Sequence, residues 1–247
     1  MQQMLHRKKV RDAPKIYPDC ARMNNFSGIY CKIAMESYYR ATNFYKEIRA
    51  ADYSWDKCAE KDEFQKMVIS TIVFSVMCLE SFFNDYLAAV LGDDRYYNTY
   101  DGLTPQNKFC FISEFLFRIP VDKSQECYGG IKNLVQYRNN YIHNKSAEVN
   151  IPLLIDRQHK ETHIMPDDEE MPLLNKRDLD LDLRKALEAL KAIRNVGRYF
   201  EKHDASCCAM VRLFGEYNYY VSSSYEQKYM GIIFQKLGIK RGRKLPL

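Results

Sequence analysis

The sequence predicts a mainly α-helical bundle, and three observations carry that prediction. Apolar residues recur at three- and four-residue spacing through several long stretches. One of them, residues 67–79, runs for 13 residues without a charge, which suits a helix buried on nearly every side. Helix punctuation falls between these stretches: Gly92 after one, Thr104-Pro105 before another, Pro120 beyond its end. The only strand reading is a small β-hairpin pairing 149–155 with 162–165.

Taken in order, residues 1–24 are an irregular tail. Its basic cluster His6, Arg7, Lys8, Lys9 and Arg11 reads as a solvated end, with a phosphate contact as the alternative. Residues 25–51 form a helix whose broad stripe is Tyr30, Ile33, Ala34, Ser37, Tyr38, Ala41, Phe44, Tyr45 and Ile48. A charged connection, 52–61, holds the single Trp, Trp55. Residues 62–91 form the longest helix, and Val73, Val76, Met77, Leu87 and Leu91 mark one line along it. Glu80 and Asn84 fall on the same line. Residues 93–102 read as a loop rich in Tyr and Asp. A helix follows from Thr104, its N-cap, to about Arg118. Asp122 or Ser124 opens the next, which the pair Gly129-Gly130 threatens to interrupt. From Ile131 to His143 the helical pattern is clear. Residues 144–175 form a loop or insertion. Residues 177–203 are strongly amphipathic, with Leu179, Leu183, Ala186, Leu187, Leu190, Ile193, Val196 and Phe200 inside and Lys185, Glu188, Lys191 and Arg194 outside. Two further helices are expected at 207–220 and 225–237, before the basic tail Lys240-Arg241-Gly242-Arg243-Lys244. The domain reading is therefore a tail (1–24), a bundle (25–203) and a C-terminal helical extension (204–247).

Composition narrows the function classes. A formal net charge of +5 permits an anionic partner without demanding one. Nineteen tyrosines are too many to sit dry in a core, so many must be half-buried or at surfaces, where the ring packs and the hydroxyl stays wet. The eight cysteines form no C-x-x-C pair, and the basic stretch Met1 to Lys15 precedes no apolar run. Both favour a reducing cytoplasm. The uncharged run at 67–79 is short for a membrane span. His159 and His163 lie four apart beside the acids at 167–170, but no helical pattern supports a metal site there, and no cofactor is expected.

The chemistry concentrates in one stretch, Leu134-Val135-Gln136-Tyr137-Arg138-Asn139-Asn140-Tyr141-Ile142-His143. Ile131, Leu134, Val135 and Ile142 form an apolar stripe, and Arg138 falls in its middle. A guanidinium there needs a partner, because an unpaired buried charge is very costly. Glu80 is the expected partner, either holding two helices in register or orienting Arg138 or His143. Asn139 and His143 are four apart and share a face. Arginine can grip two phosphate oxygens and histidine can move a proton near neutral pH. Tyr141 can stack on a base or serve packing alone. Lys145 follows in the polar loop after the helix and joins Tyr141 as a substrate-binding candidate.

Arg138-Asn139-x-x-x-His143 resembles the R-x(4–6)-H motif of the HEPN superfamily, including the polar residue that follows the Arg. Phe74-Ser75-Val76-Met77-Cys78-Leu79-Glu80-Ser81-Phe82-Phe83-Asn84 resembles the long early helix of that family. The likeness covers roughly residues 26–203. It implies an all-α bundle, a homodimer facing two motifs into one cleft, and metal-independent endoribonuclease activity. In that case Arg138, Asn139 and His143 are catalytic, with Glu80 and Asn84 supporting. It also implies a toxin or antiviral defence setting, RNA as substrate, and an inhibitor or defence-system partner protein. Two rivals stand beside it: a non-catalytic interaction module of the same fold, and a regulatory nucleotide-binding protein.

Overall fold

Eight α-helices make up the described part of a computed structural model, which covers residues 26–50, 58–142, 176–214 and 224–239. They are α1 (Ser27–Ala50), α2 (Cys58–Leu91), α3 (Asp93–Thr99), α4 (Pro105–Phe111), α5 (Glu126–Ile142), α6 (Lys176–His203), α7 (Ala209–Phe214) and α8 (Ser224–Leu237). No strand occurs among the described residues. The tail 1–24, the insertion 144–175 with its expected hairpin, His143 and Lys145 lie outside them.

α2 is the axis of the bundle, as its apolar circumference predicts. It packs against α1, α3, α4, α5, α6 and α7. Residues Asp62–Leu91 are long and apolar enough to span a bilayer by length and composition, and half of an apolar 18-residue stretch within them is buried inside the bundle. Gly92 stops the helix at φ 85° and ψ 148°, a backbone region essentially confined to glycine. In the C-terminal half of α2, Phe82 and Tyr86 meet Phe200 of α6 edge-on at 4.9 Å and 5.0 Å, tying α2 to α6. Each fully buried ring of this kind contributes about 1.5–3 kcal/mol by leaving water.

On α1 the buried face is Cys31, Ala34, Met35, Tyr38, Ala41 and Thr42. The expected stripe is thus rotated: Tyr30, Ile33, Ser37 and Phe44 lie on its half-exposed edge. Along that edge the Ser37 and Ser70 hydroxyls meet at 3.0 Å between α1 and α2.

Three local readings change. Residues 93–99 form a helix rather than a loop. Asp93 and Asp94 sit in its first turn, where carboxylates suit the helix dipole, and buried Tyr96 anchors it. α4 starts as expected, with the Thr104 hydroxyl accepting from the Asn107 amide at 3.3 Å, but becomes a wider π-turn at Ile112–Leu116. Arg118 then adopts φ 60° ahead of Pro120. The helix expected at 207–220 is cut short: Ala205–Cys207 is one 3₁₀ turn, Cys208 turns left-handed at φ 46°, and α7 begins only at Ala209.

Where they are described, residues from 204 onward pack back onto the bundle. Cys207, Leu213, Phe214, Ile233, Phe234 and Leu237 belong to the same core as α1, α2 and α6. α7 approaches α6 through Gly197, where a Cβ would lie 2.5 Å from the Met210 sulfur. α8 ends on Gly238 at φ 62°, with the Ile239 amide donating back to Phe234 O at 2.9 Å. Its last carbonyls are held from α6: Arg194 donates to Leu237 O at 2.8 Å and Arg198 to Gly238 O at 2.9 Å.

Candidate functional site

α5 carries the motif stretch, and three sides of it can be assigned. Cys127, Ile131 and Leu134 are buried on one line. Gly129-Gly130 does not interrupt the helix. Instead Gly130 allows close packing, because a Cβ there would already touch the Ala192 Cβ at 3.4 Å. Tyr137 donates its hydroxyl to Glu188 at 2.8 Å and Tyr141 donates to Asp182 at 3.1 Å, both on α6. Glu126 pairs with Arg194 at 3.5 Å. Residues 126, 130, 137 and 141 thus face 194, 192, 188 and 182, so the two helices run antiparallel.

Arg138 is the next residue on the buried line after Leu134, and it is half-buried. It forms no hydrogen bond or ion pair with a described residue, and the expected Glu80–Arg138 pair is not made. Asn139 beside it is exposed. Tyr141 is half-buried, and burial together with Asp182 raises its hydroxyl pKa well above the ordinary value. Its commitment to α6 favours packing over base stacking. Ile142, the last described residue of α5, is 52% exposed.

Glu80 and Asn84 belong to a different cluster. The cation beside them is Lys108 of α4, which is fully buried. Its ammonium donates to Asn84 Oδ1 at 2.7 Å, and the Tyr96 hydroxyl donates to the same oxygen at 2.7 Å and to Asp101 at 3.2 Å. Burial pulls the Lys108 pKa down, while Glu80 and Asp101 pull it up without cancelling the effect. Burial and Asp101 raise Tyr96. Periodicity does not reveal Lys108, since a lysine in the last turn of a short helix reads as solvated. The available signal was the reverse one: Glu80 and Asn84 sit among apolar residues and require a polar partner.

Between α5 and α6 an open groove of about 330 Å³ runs from Ser124 to Tyr137. Gly129, Gly130 and Ala192 floor it, and Glu126, Asn133, Glu188, Lys191 and Asn195 rim it. Burial and Glu188 push the Tyr137 hydroxyl up to about 12, with nearby Arg184 opposing. Sequence reading placed Glu188 and Lys191 on an outer face. They are half-buried and border this groove. Arg184, Lys191, Arg198 and Lys202 continue along the same side of α6 at helical spacing and form a basic ridge.

Among the described residues, no group of three or more His, Cys, Asp or Glu is placed to hold a metal ion. Compared with family models, with curated proteins and with solved structures, the chain gives no match.

Proposed function

We propose that this protein is a metal-independent endoribonuclease of the HEPN type, acting as a homodimer in a reducing cytoplasm. The observation that carries the reading is the state of Arg138. It is a half-buried guanidinium on the core side of α5, in reach of solvent and uncommitted to any described side chain. By contrast, Lys108, Arg194 and Arg212 are all engaged within the fold. A cation poised in this way suits an anion from outside, and RNA phosphate is the anion that the motif resemblance names. The basic ridge on α6 supports the same partner.

In this reading His143 takes the proton from a ribose 2′-hydroxyl, and the 2′-oxygen attacks the adjacent phosphorus. Arg138 holds the phosphate oxygens as negative charge builds on them, and Asn139 hydrogen-bonds the phosphate or the imidazole. The P–O5′ bond breaks and the leaving 5′-oxygen takes a proton from the histidine of the second protomer. The products are a 2′,3′-cyclic phosphate and a 5′-hydroxyl. A toxin or antiviral defence role, with an inhibitor or defence-system partner, is the setting that the resemblance implies.

The test incubates the full chain with total RNA in excess EDTA, beside His143→Ala and Arg138→Ala. Cleavage by the parent alone, leaving cyclic phosphate ends, is the expected result. Each variant should lose about 10²–10⁴-fold in rate. A folded dimeric parent that cuts nothing overturns the reading in favour of an interaction module. That second reading draws on the half-exposed apolar edge between α1 and α2, which includes Ile29, Tyr30, Ile33 and Phe74.

A further inference from the structure

We propose that the groove between α5 and α6 receives a purine base of the RNA strand, guanine in preference to adenine. The inference rests on the ribonuclease reading and extends it to base recognition.

The floor leaves room for a flat ring. A Cβ at Gly129 would meet nothing within 4 Å, so the space above the helix there is empty, and Gly130 and Ala192 add almost no relief. Half-buried Tyr137 lines the groove at the end nearest Arg138, with its hydroxyl tied to Glu188, and an aromatic ring there is the residue type on which a base stacks. At about 1.5 Å per residue, Gly130 lies about 12 Å along the helix from Arg138.

The rim supplies a matched donor and acceptor. Glu188 gives one carboxylate oxygen to Tyr137 and keeps the other. Lys191, one turn along the same face of α6, has no partner among the described residues. Asn195 has its Oδ1 occupied twice by Arg194, at 3.0 and 2.7 Å, which fixes the amide and leaves its N–H groups free. Guanine presents N1–H and N2–H groups that suit a carboxylate, and O6 and N7 acceptors that suit an ammonium or an amide. Adenine offers only part of this pattern, and uracil and cytosine lack the second ring that the groove can hold. Arg184, Arg198 and Lys202 lie on the same side of α6 beyond the groove, so a phosphate chain can follow them while one base turns inward.

The test uses the full chain carrying His143→Ala, so that RNA is bound and not cut. Fluorescence anisotropy measures binding of the labelled RNA pentamers UUGUU, UUAUU, UUCUU and UUUUU. The expected order places UUGUU first, about tenfold or more above UUUUU. Adding Gly129→Leu fills the groove with a side chain that has room and a better helix propensity, so the fold is kept. It should abolish the preference and leave the weaker, salt-sensitive binding common to all four. Equal binding of the four pentamers, or a preference that survives Gly129→Leu, overturns the proposal. Tight binding of GMP alone, matching that of UUGUU, overturns it in favour of a free nucleotide ligand. Total-RNA cleavage is scored separately on the parent. Cleavage without base preference sinks only the groove, and preference without cleavage sinks only the ribonuclease.

Discussion

At the scale of single residues, the clearest physical statement is made by Lys108. A fully buried ammonium held by one amide oxygen depends on that oxygen. Asn84→Leu removes it and strands the charge, which should cost about 2–4 kcal/mol of stability. Lys108→Met removes the charge itself and leaves Asn84 bonded to Tyr96, so it should lie within about 1 kcal/mol of the parent. Urea denaturation of the two variants checks the order; the reverse order would mean that the ammonium is not held by this oxygen. The same residues show what sequence reading could and could not see. Glu80 and Asn84 stood out as polar groups in apolar surroundings, and they do need a partner. Asn84 takes Lys108 and not Arg138, and Glu80 acts on that ammonium only through space, because pairing across 24 residues of chain follows no period. Arg138 was legible from its place in the stripe. Its lack of a partner was not, since a stripe tells which way a side chain points and nothing about what waits there.

At the scale of elements, long amphipathic helices were read closely. Sequence placed them at 25–51, 62–91, 177–203 and 225–237, and the structure has Ser27–Ala50, Cys58–Leu91, Lys176–His203 and Ser224–Leu237. Short elements escaped because their reasons are tertiary. α3 depends on Tyr96 reaching the core, and the break at Cys208 depends on α7 closing onto α6. Glycines show the same contrast. Gly129-Gly130 looked like an interruption and is instead a place of close packing and open floor. Gly197 attracted no notice, yet it is where α7 seats. Gly197→Leu should destabilise by about 1–3 kcal/mol, because it drives a side chain into Met210 and Leu213. Gly197→Ala should cost little, since the Met210 thioether can swing aside and alanine favours the helix. Thermal melts of both separate overpacking from a general intolerance of substitution there.

At the scale of the whole molecule, buried acids of high pKa set the response to alkali. Burial raises Tyr86, Tyr141 and Tyr229 above their ordinary 10.0, and pushes Tyr137 and Cys127 up to about 12. The folded chain therefore keeps protons that the unfolded chain gives up. Stability from these groups is complete below the ordinary Cys and Tyr values and falls as pH rises through 9.0–10.0 towards 12. Lys108 and Lys236, both lowered by burial, work the other way, but they are two groups against several. Urea midpoints should thus hold steady to about pH 8 and drop by about pH 10.5. A midpoint that climbs over that range would contradict the assignment. One last feature joins distant parts. The Arg194 guanidinium grips Leu237 O, Asn195 and Glu126 together. A single cation thereby fastens the final helix to the wall and the mouth of the groove. Fraying of α8 should then register as faster amide hydrogen exchange near Asn195, on the far side of that arginine. Occupancy of the groove should in turn slow exchange at the end of α8, giving two surfaces that share no ligand a common clock.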